Sequence, residues 1–486
     1  MRATTLSLVL AGAVSQSLAS SFSSSSPHLH RALVGLRQSS SSSSNATSAA
    51  TPTSTSSTPL PSVDLGYEVH TGTENVTGQY YIFSNIPYAE QPTGTLRFNP
   101  VSLPTATSSA VNNGSGTIIC HQALPLWEFD EEAASTGYSV ELLEEVIYAE
   151  AGQTEACLVL DLFVPTAVFD QASKLAPVLV WIHGGGFTYG SKTSSVDPAG
   201  LIARSTLDGS DEGIIVIAIN YRLGLFGWLG AGGITPNLGL YDQRVAFDWV
   251  AKYVSLFGGD PDRVTVAGES AGAASTLHHV TAYGGASAHP FAQALIQSPA
   301  FQVNMNLTAA YELTLAEAST ITSTSITTAD QLAALTEDEL HAVNFYAVLP
   351  ADEGYFTYGP APDGTYVPAL PQVLLYEGRF RNDISILAAH NSLEAATFVP
   401  TNITTPAEAL AEVHAGFPEA SNATLAYILD VLYPADDYAS EYLRVVQIAS
   451  DAEFSCSTRY LAEAFDNKTY NYLFAYPPGY HGEDLD

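Results

Sequence analysis

Residues 264–272, with the sequence VTVAGESAG, surround a serine with neighbours that favour nucleophilic chemistry. Ser270 lies between Gly268 and Gly272 in the pattern Gly-x-Ser-x-Gly, after an apolar run and before small residues typical of a helix. Such a strand, turn and helix form a nucleophile elbow, in which a strained turn lifts the hydroxyl clear of the sheet. The pattern alone also fits a glycine-rich turn without chemistry, so a second element is needed.

Residues 180–187, VWIHGGGF, provide that second element. Consecutive glycines after a buried strand leave backbone N–H groups free to approach a substrate oxygen, as in an oxyanion hole. We expect the N–H groups of Gly185, Gly186 and Ala271 to stabilise a developing alkoxide there. Losing one such donor typically costs about 3 to 4 kcal/mol of transition-state stabilisation. His183 precedes the glycines and is expected to be structural, with its ring holding the loop.

Apolar runs that alternate with helical stretches predict the elements that carry these groups. The clearest predicted strands are residues 177–182, 214–221, 264–267, 294–297, 384–389 and 470–476. Continuous apolar runs of this kind are typical of strands buried on both faces of a parallel sheet. Residues 241–253 and 271–280 have helical character. The predicted class is therefore α/β, a mostly parallel central sheet with helices on both faces.

Composition supports a large folded protein and excludes some partners. The chain has 486 residues, of which 46% are hydrophobic and 14% charged. Its 16 Lys and Arg against 50 Asp and Glu give a net charge of −34, which repels phosphate backbones and anionic membrane surfaces. Nucleic acid is therefore not an expected partner. Three cysteines are too few for a disulfide scaffold.

The amino terminus predicts secretion. Residues 1–19 combine Arg2, an apolar run at 6–14 and small residues before a cut near Ala19, as in a signal peptide. The apolar run is about half of the ~20 residues needed to cross a bilayer. Seven Asn-x-Ser/Thr sites fit an extracellular protein: Asn45, Asn75, Asn113, Asn306, Asn402, Asn422 and Asn467. We therefore expect a secreted glycoprotein.

Three segments follow from these patterns. Residues 1–19 are the predicted signal peptide, and residues 20–61 form a Ser/Thr-rich linker without the apolar periodicity that could offset its ordering entropy. Residues 62–486 form the predicted catalytic domain.

Several further motifs resemble the type-B carboxylesterase/lipase family, which includes Candida rugosa-type fungal lipases and cholinesterases. The motifs are FSNIPYA at 83–89 with LRF at 96–98, GGGF at 184–187, NYRLGLFG at 220–227, NLGLYDQ at 237–243 and FGGDP at 257–261 before GESAG at 268–272. The resemblance spans roughly residue 63 to the chain end. It implies an α/β-hydrolase fold and hydrolysis of carboxylic esters through an acyl-serine intermediate.

The resemblance also implies a catalytic histidine. His481 follows the predicted strand at 470–476 in the segment PPGYHGED, which is similar to the family's histidine loop. We expect His481 to take the Ser270 proton as general base and return it to the leaving alcohol. The adjacent His278 and His279 are expected to have packing or surface roles.

The acid of the triad has two candidates. The family's signature Asp-Glu-Gly occurs at residues 352–354, but it precedes the segment that comes before the acid-bearing strand in the family. The segment HNSLEA at 390–395 follows the predicted strand at 384–389, and we therefore assign Glu394 as the acid. Ala395 stands where the family usually has glycine, so a slightly different turn is expected.

Two cysteines resemble the pair that closes the lid loop of this family. The resemblance pairs Cys120 with Cys157 and leaves Cys456 as a buried free thiol. Within the loop, residues 140–148 place Leu142, Leu143, Val146 and Ile147 on one helical face. That helix is either a lid that meets lipid or a helix docked permanently on the core, and the sequence leaves both readings open.

The expected function is that of a secreted serine carboxylic-ester hydrolase acting on a small-molecule or lipid ester. No obligate protein partner is inferred, and contact with a lipid interface would be transient. No metal is expected, since His-Glu-x-x-His and paired Cys-x-x-Cys patterns are lacking, and triad chemistry needs no cofactor.

One feature favours an alternative. The chain ends at Asp486, five residues after His481, whereas family members continue with helical sequence, so the catalytic domain is expected to be truncated at its carboxyl end, either as an incomplete gene product or as a shortened paralogue. The alternative is a catalytically impaired or non-catalytic binding member. Such a member would be expected to lack Ser270, the glycines or the histidine, and all are present.

Overall fold

A computed structural model describes residues 60–170, 175–194, 197–207, 213–286, 290–301 and 306–485. The predicted signal peptide and nearly all of the predicted linker lie outside the described residues. The first described strand begins at Ser62, where the catalytic domain is predicted to begin.

The described chain is built on a nine-stranded mixed sheet and a small three-stranded one. The strands are β1 Ser62–Asp64, β2 Val69–Thr71, β3 Thr73–Asn75, β4 Tyr80–Pro87, β5 Val111–Asn112, β6 Val159–Pro165, β7 Ala176–Ile182, β8 Ile215–Ile219, β9 Gly259–Glu269, β10 Gln293–Gln297, β11 Ser385–Asn391 and β12 Tyr470–Phe474. The large sheet has the order β12-β11-β10-β9-β7-β8-β6-β4-β3. Strands β7 to β12 pair in parallel, whereas β6, β4 and β3 are antiparallel additions at one side.

Apolar, β-branched sequence explains the central strands. All five residues of β8, IVIAI, are buried, so both faces of the sheet are covered there. The six predicted strands all form, within a few residues of their predicted ends. The prediction of two-sided burial is wrong for β12, where Tyr470 is 72% and Leu473 56% exposed. The reason is its place in the sheet, because β12 pairs only with β11 and forms an edge.

Helices surround the sheet. Those described are α1 Leu126–Thr136, α2 Val140–Tyr148, α3 Thr166–Asp170, α4 Ala199–Ser205, α5 Gly224–Trp228, α6 Leu238–Tyr253, α7 Ala271–Thr281, α8 Leu307–Thr322, α9 Ala329–Ala333, α10 Glu337–Val348, α11 Pro371–Tyr376, α12 Pro406–Gly416, α13 Asn422–Tyr427, α14 Glu441–Ser450 and α15 Cys456–Ala464. Helix α7 packs on β7, β9 and β10 and is buried along its whole length. Among the described helices, none combines the length and the apolar character that a membrane crossing requires.

Helix α2 lies in the loop that a disulfide between Cys120 and Cys157 closes. The expected apolar face is only partly engaged, because Leu143 and Ile147 are fully buried while Leu142 is 39% exposed. The Tyr148 ring at the end of α2 packs against rings on α10. In this conformation α2 is docked, and opening as a lid stays a prediction.

The third cysteine, Cys456, is free, as expected from the sequence. The expectation that its thiol is buried is wrong, because the residue is only half-buried.

We expect Leu143→Ala to lower the free energy of unfolding by about 2 to 5 kcal/mol, because it leaves a cavity under a fully buried side chain. Urea denaturation monitored by circular dichroism measures this change. The matched control is Leu142→Ala on the exposed side of the same helix, with an expected change within about 0.5 kcal/mol. Equal, small effects of both substitutions would show that α2 is not docked in solution.

Candidate active site

Ser270, Glu394 and His481 each follow the carboxyl end of a parallel strand. Ser270 directly follows β9, Glu394 lies shortly after β11, and His481 comes after β12. These strands are neighbours, with β10 between β9 and β11. Residues 183–187, called the glycine loop below, follow β7 on the other side of β9. Because the carboxyl ends of parallel strands meet at one edge, the four segments converge there.

The turn at Ser270 is strained and crowded. Ser270 has φ 56° and ψ −124°, a conformation that a residue with a side chain rarely adopts and that costs on the order of 1 to 3 kcal/mol. A Cβ at Gly268 would lie 2.5 Å from the carbonyl carbon of Gly272, and one at Gly272 would lie 2.0 Å from the carbonyl oxygen of Ile182. Both flanking positions therefore require glycine, as the elbow pattern predicts.

The glycine loop lies directly against the serine. A Cβ placed at Gly184 would be 3.0 Å from the Ser270 Cβ. Gly185 and Gly186 have φ values of 103° and 55°, and added Cβ atoms would meet the Tyr189 carbonyl oxygen and the Phe356 ring, respectively, so both positions require glycine. Among the described residues, the N–H groups of Gly185 and Gly186 donate no hydrogen bond.

His183 holds the glycine loop, the structural role expected from its position. Its Nδ1 lies 2.8 Å from the Gly184 carbonyl oxygen, and its ring stacks on Tyr221 at 4.4 Å between centroids. The Tyr221 hydroxyl donates to the His183 carbonyl oxygen at 2.9 Å. These contacts fix the backbone immediately before the glycines.

Glu394 and His481 form a direct pair. His481 Nδ1 lies 2.7 Å from Glu394 Oε2, and the Glu394 side chain is fully buried. Glu394 Oε1 accepts a hydrogen bond from the Asn391 N–H at 2.5 Å. The two loops are also joined through their backbones, since the Leu393 N–H donates to the Gly479 carbonyl oxygen at 2.9 Å. The carboxylate thus fixes the orientation of the imidazole, with the proton on Nδ1.

The other ring nitrogen of His481 faces a second carboxylate. Its Nε2 lies 3.2 Å from Glu269 Oε1 and makes no hydrogen bond to a described residue. No hydrogen bond joins Ser270 Oγ to His481 within the described chain, and catalytic hydrogen bonds of this kind often tighten only when substrate binds. The rings of Phe398 and Phe454 pack on the imidazole at 5.2 and 4.8 Å.

Burial and charge act together on this pair of groups. Burial raises the pKa of Glu269 to about 7, although the charge of His481 opposes the shift. Burial lowers the pKa of His481, but the Glu269 carboxylate and the hydrogen bond to Glu394 raise it more, to about 9. The imidazole is therefore more basic than a free histidine.

The other sequence candidates lie elsewhere. The carboxylates paired with His481 are Glu394 and Glu269, and Glu353 is not among them. His279 packs inside, hydrogen-bonded to Tyr366 and Gln243. His390, which lies in β11 shortly before Glu394, has its Nδ1 3.0 Å from the Thr458 hydroxyl.

Sequence reasoning missed Glu269 and the aromatic pair Phe398 and Phe454. Glu269 precedes the elbow serine, so its place next to the nucleophile was a usable signal. The two phenylalanines reach His481 from distant parts of the chain, and no local pattern indicates them.

A cleft with about 530 Å³ of unfilled space, part of it open to solvent, lies against Phe398, whose ring packs on the His481 imidazole. We call it the histidine-side cleft. Phe398, which packs on the imidazole, forms one wall, and Tyr355, Val445, Ile448 and Glu453 form others. Its walls are mainly apolar, as expected for a site that binds part of a small organic molecule.

Comparisons with known proteins agree with this architecture. Residues 65–484 match the carboxylesterase family. The chain is 37% identical over 459 residues to Carboxylesterase patB of Aspergillus clavatus, covering 87% of this chain and 82% of that protein. It is 29% identical over 441 residues to Lipase 2 of Diutina rugosa, covering 83% and 79% of the two chains. The crystal structure of Aspergillus niger EstA shares the fold, with a TM-score of 0.69 at 24% identity over 85% of this chain and 77% of that one. The chain therefore belongs to the carboxylesterase family, a family of carboxylic ester hydrolases with the α/β-hydrolase fold.

Proposed function

We propose that this protein is a secreted serine esterase that hydrolyses carboxylic esters through an acyl-Ser270 intermediate. The observation that carries the proposal is the buried Glu394 carboxylate 2.7 Å from His481 Nδ1, at the same sheet edge as the strained elbow serine. A nucleophile, a base and a group that orients the base form the unit that serine hydrolysis needs.

The first half-reaction forms the acyl-enzyme. His481 Nε2 takes the proton from the Ser270 hydroxyl as Oγ attacks the ester carbonyl carbon. The carbonyl oxygen becomes an alkoxide, which accepts hydrogen bonds from the N–H groups of Gly185, Gly186 and Ala271. Ala271 is the first residue of α7, so its N–H has no acceptor within the helix. The alkoxide then collapses, and His481 gives its proton to the leaving alcohol.

The second half-reaction releases the acid. Water loses a proton to His481 and attacks the acyl carbon, and the proton then returns to Ser270 Oγ as the carboxylic acid leaves. Through both steps Glu394 holds the imidazole in one tautomer and stabilises its protonated form. The leaving alcohol receives its proton from His481, so the alcohol part of the ester must lie next to the His481 ring in this step.

Two features support the proposal that the protein is secreted: its amino-terminal sequence and its accessible glycosylation sites. Residues 1–19 have the pattern of a signal peptide. Of the seven glycosylation sequences, the asparagines within the described residues are exposed or half-exposed. The disulfide between Cys120 and Cys157 also suits an oxidising compartment.

A burst experiment tests the proposed function. The purified protein is mixed with excess p-nitrophenyl butyrate, and we expect a rapid release of nitrophenol with an amplitude near one per chain if deacylation is slower than acylation. Acid quenching followed by peptide mass spectrometry should place the butyryl group on the peptide that contains Ser270. Absence of hydrolysis, or an acyl group on another residue, would contradict the proposal.

The pH dependence of the rate tests the environment of His481. A general base must be neutral, so kcat/KM should rise with pH through the pKa of His481, which Glu269 and Glu394 raise to about 9. Glu269→Gln removes one of these charges, and we expect the acid side of the profile to move to lower pH by on the order of one pH unit. Glu353→Gln is the control and should leave the profile in place. An unshifted profile in Glu269→Gln would show that this carboxylate does not act on the base.

A further inference from the structure

Gln122 is a buried glutamine that joins the disulfide-closed loop to the segment just after the glycine loop. It stands two residues after Cys120 and is fully buried. Its Oε1 accepts a hydrogen bond from the Gly190 N–H at 2.7 Å, and its Nε2 donates to the Gly190 carbonyl oxygen at 3.0 Å. The same Nε2 also donates to the Cys120 carbonyl oxygen at 2.8 Å. The amide group therefore holds Gly190 in a fixed place relative to the disulfide-bonded Cys120.

Gly190 lies against the beginning of the glycine loop. It has φ 100°, and a Cβ placed on it would lie 2.5 Å from His183 Nδ1 and 2.6 Å from the Gly184 carbonyl oxygen. The backbone therefore turns back on itself between Gly184 and Gly190, and this close return requires glycine. Because Gly190 touches the residue that precedes Gly185, fixing Gly190 limits how far the glycine loop can shift.

Backbone hydrogen bonds strengthen the same junction. The Ala123 N–H, next to Gln122 in the chain, donates to the Thr188 carbonyl oxygen at 3.0 Å. The N–H groups of Thr188 and Tyr189 in turn donate to the Gly185 carbonyl oxygen, each at 3.0 Å. A continuous set of short contacts thus runs from Gln122 and Ala123 to Gly185, whose own N–H donates no hydrogen bond within the described chain.

The proposed oxyanion hole needs a backbone position that this segment does not set by regular structure. Residues 183–190 form turns and bends and belong to neither a helix nor a strand, so contacts from outside must hold them. Donors stabilise the alkoxide when they lie about 2.7 to 3.1 Å from it, and a shift of about 1 Å can lower the rate by on the order of 100-fold. A side chain that fixes this segment therefore acts on the transition state, where the alkoxide forms.

We propose that Gln122 is a positioning residue for the oxyanion hole, which acts through Gly190 to hold the N–H groups of Gly185 and Gly186 in place. This inference rests on the proposed esterase function and adds to that site a residue from outside the glycine loop. Gln122 acts through the backbone and takes no part in proton transfer or bond formation. Its loss should therefore lower kcat and leave KM nearly unchanged.

Gln122→Met keeps the length of the side chain and removes both bonds to Gly190. Both half-reactions pass through an alkoxide, so acylation and deacylation should slow together. We expect kcat for p-nitrophenyl butyrate to fall by about 100-fold, while KM changes by less than about threefold. Steady-state kinetics of the purified protein and variant measure both constants.

Inhibition by 1,1,1-trifluorooctan-2-one gives a second readout, the binding of a stable alkoxide. Ser270 Oγ adds to the ketone carbon, the Oγ proton passes to His481, and the carbonyl oxygen becomes an alkoxide in the oxyanion hole. The inhibition constant should rise in Gln122→Met by about the factor by which kcat falls, because the adduct and the transition state use the same donors.

Gln91 supplies the matched control because it holds a peptide group in the same way. Its Oε1 accepts from the Leu158 N–H at 3.0 Å, and its Nε2 donates to the Leu158 carbonyl oxygen at 3.2 Å. Leu158 lies in the sequence just before β6 and outside the glycine loop. Gln91→Met should therefore change kcat and the inhibition constant by less than about threefold.

The outcomes separate this inference from the proposed function. Unchanged kcat and inhibition constant in a folded Gln122→Met variant would overturn the role of Gln122, and so would equal losses in Gln91→Met. If circular dichroism shows that Gln122→Met is unfolded, the shorter but still polar Gln122→Asn takes its place, with the same expected loss and the same contrary result. Hydrolysis by the unmodified protein no faster than by Ser270→Ala would overturn the proposed function itself.

Discussion

Ser270→Ala is expected to lower kcat/KM for p-nitrophenyl butyrate by at least about 10⁴-fold, because no other group can form the acyl intermediate at the elbow. The fold should be unaffected. Ser270 is nearly buried, but its Oγ makes no hydrogen bond to a described residue, so removing it leaves no partner unsatisfied. Steady-state kinetics and thermal unfolding of the purified variant measure both effects.

Ser270→Gly provides a stability readout that alanine does not. At φ 56° and ψ −124°, any residue with a Cβ is strained, and glycine is not. The glycine variant should therefore be as inactive as the alanine variant but more stable to unfolding, by about 1 kcal/mol. Activity retained in either variant would remove Ser270 from the mechanism. Equal stabilities of the two variants would show that the turn is not strained in solution.

Sequence reasoning succeeded where the determinants are local. The elbow and the glycine loop each need only a strand followed by a fixed run of small residues, and added Cβ atoms at Gly268, Gly272 and Gly185 would collide with nearby backbone. The parallel strands could also be predicted from the sequence, because a strand that is buried on both faces requires a continuous apolar run. These features are set by steric constraints within a few residues.

Sequence reasoning failed where contacts join distant segments. Glu269, Phe398 and Phe454 surround His481, yet they come from the elbow, the turn after β11 and the segment after α14. The exposure of β12 depends on its place at the sheet edge, which composition does not reveal. The docking of α2 likewise depends on α10, a helix almost two hundred residues further along the chain. Such pairings are decided by the whole fold.

Glu394→Gln is expected to lower kcat/KM by about 10⁴-fold through the wrong histidine tautomer. Glu394 Oε1 accepts from the buried Asn391 N–H, while Oε2 faces His481 Nδ1. A glutamine must keep its oxygen toward the Asn391 N–H, because a buried donor without an acceptor is costly. Its amide N–H₂ group then points at His481 Nδ1, which must become the acceptor. The ring proton moves to Nε2, and Nε2 can no longer take the proton of Ser270.

Glu353→Gln is the matched control for this prediction. Glu353 belongs to the Asp-Glu-Gly sequence that resembles the family signature, but it is not paired with His481. Its replacement should change kcat/KM by less than about twofold, because a half-exposed carboxylate away from the imidazole contributes little to either tautomer. Both variants are measured with p-nitrophenyl butyrate across the pH range used for Glu269→Gln. A large loss in Glu353→Gln with near-normal activity in Glu394→Gln would move the acid to Glu353, and would require the loop at residues 352–354 to approach His481 when substrate binds.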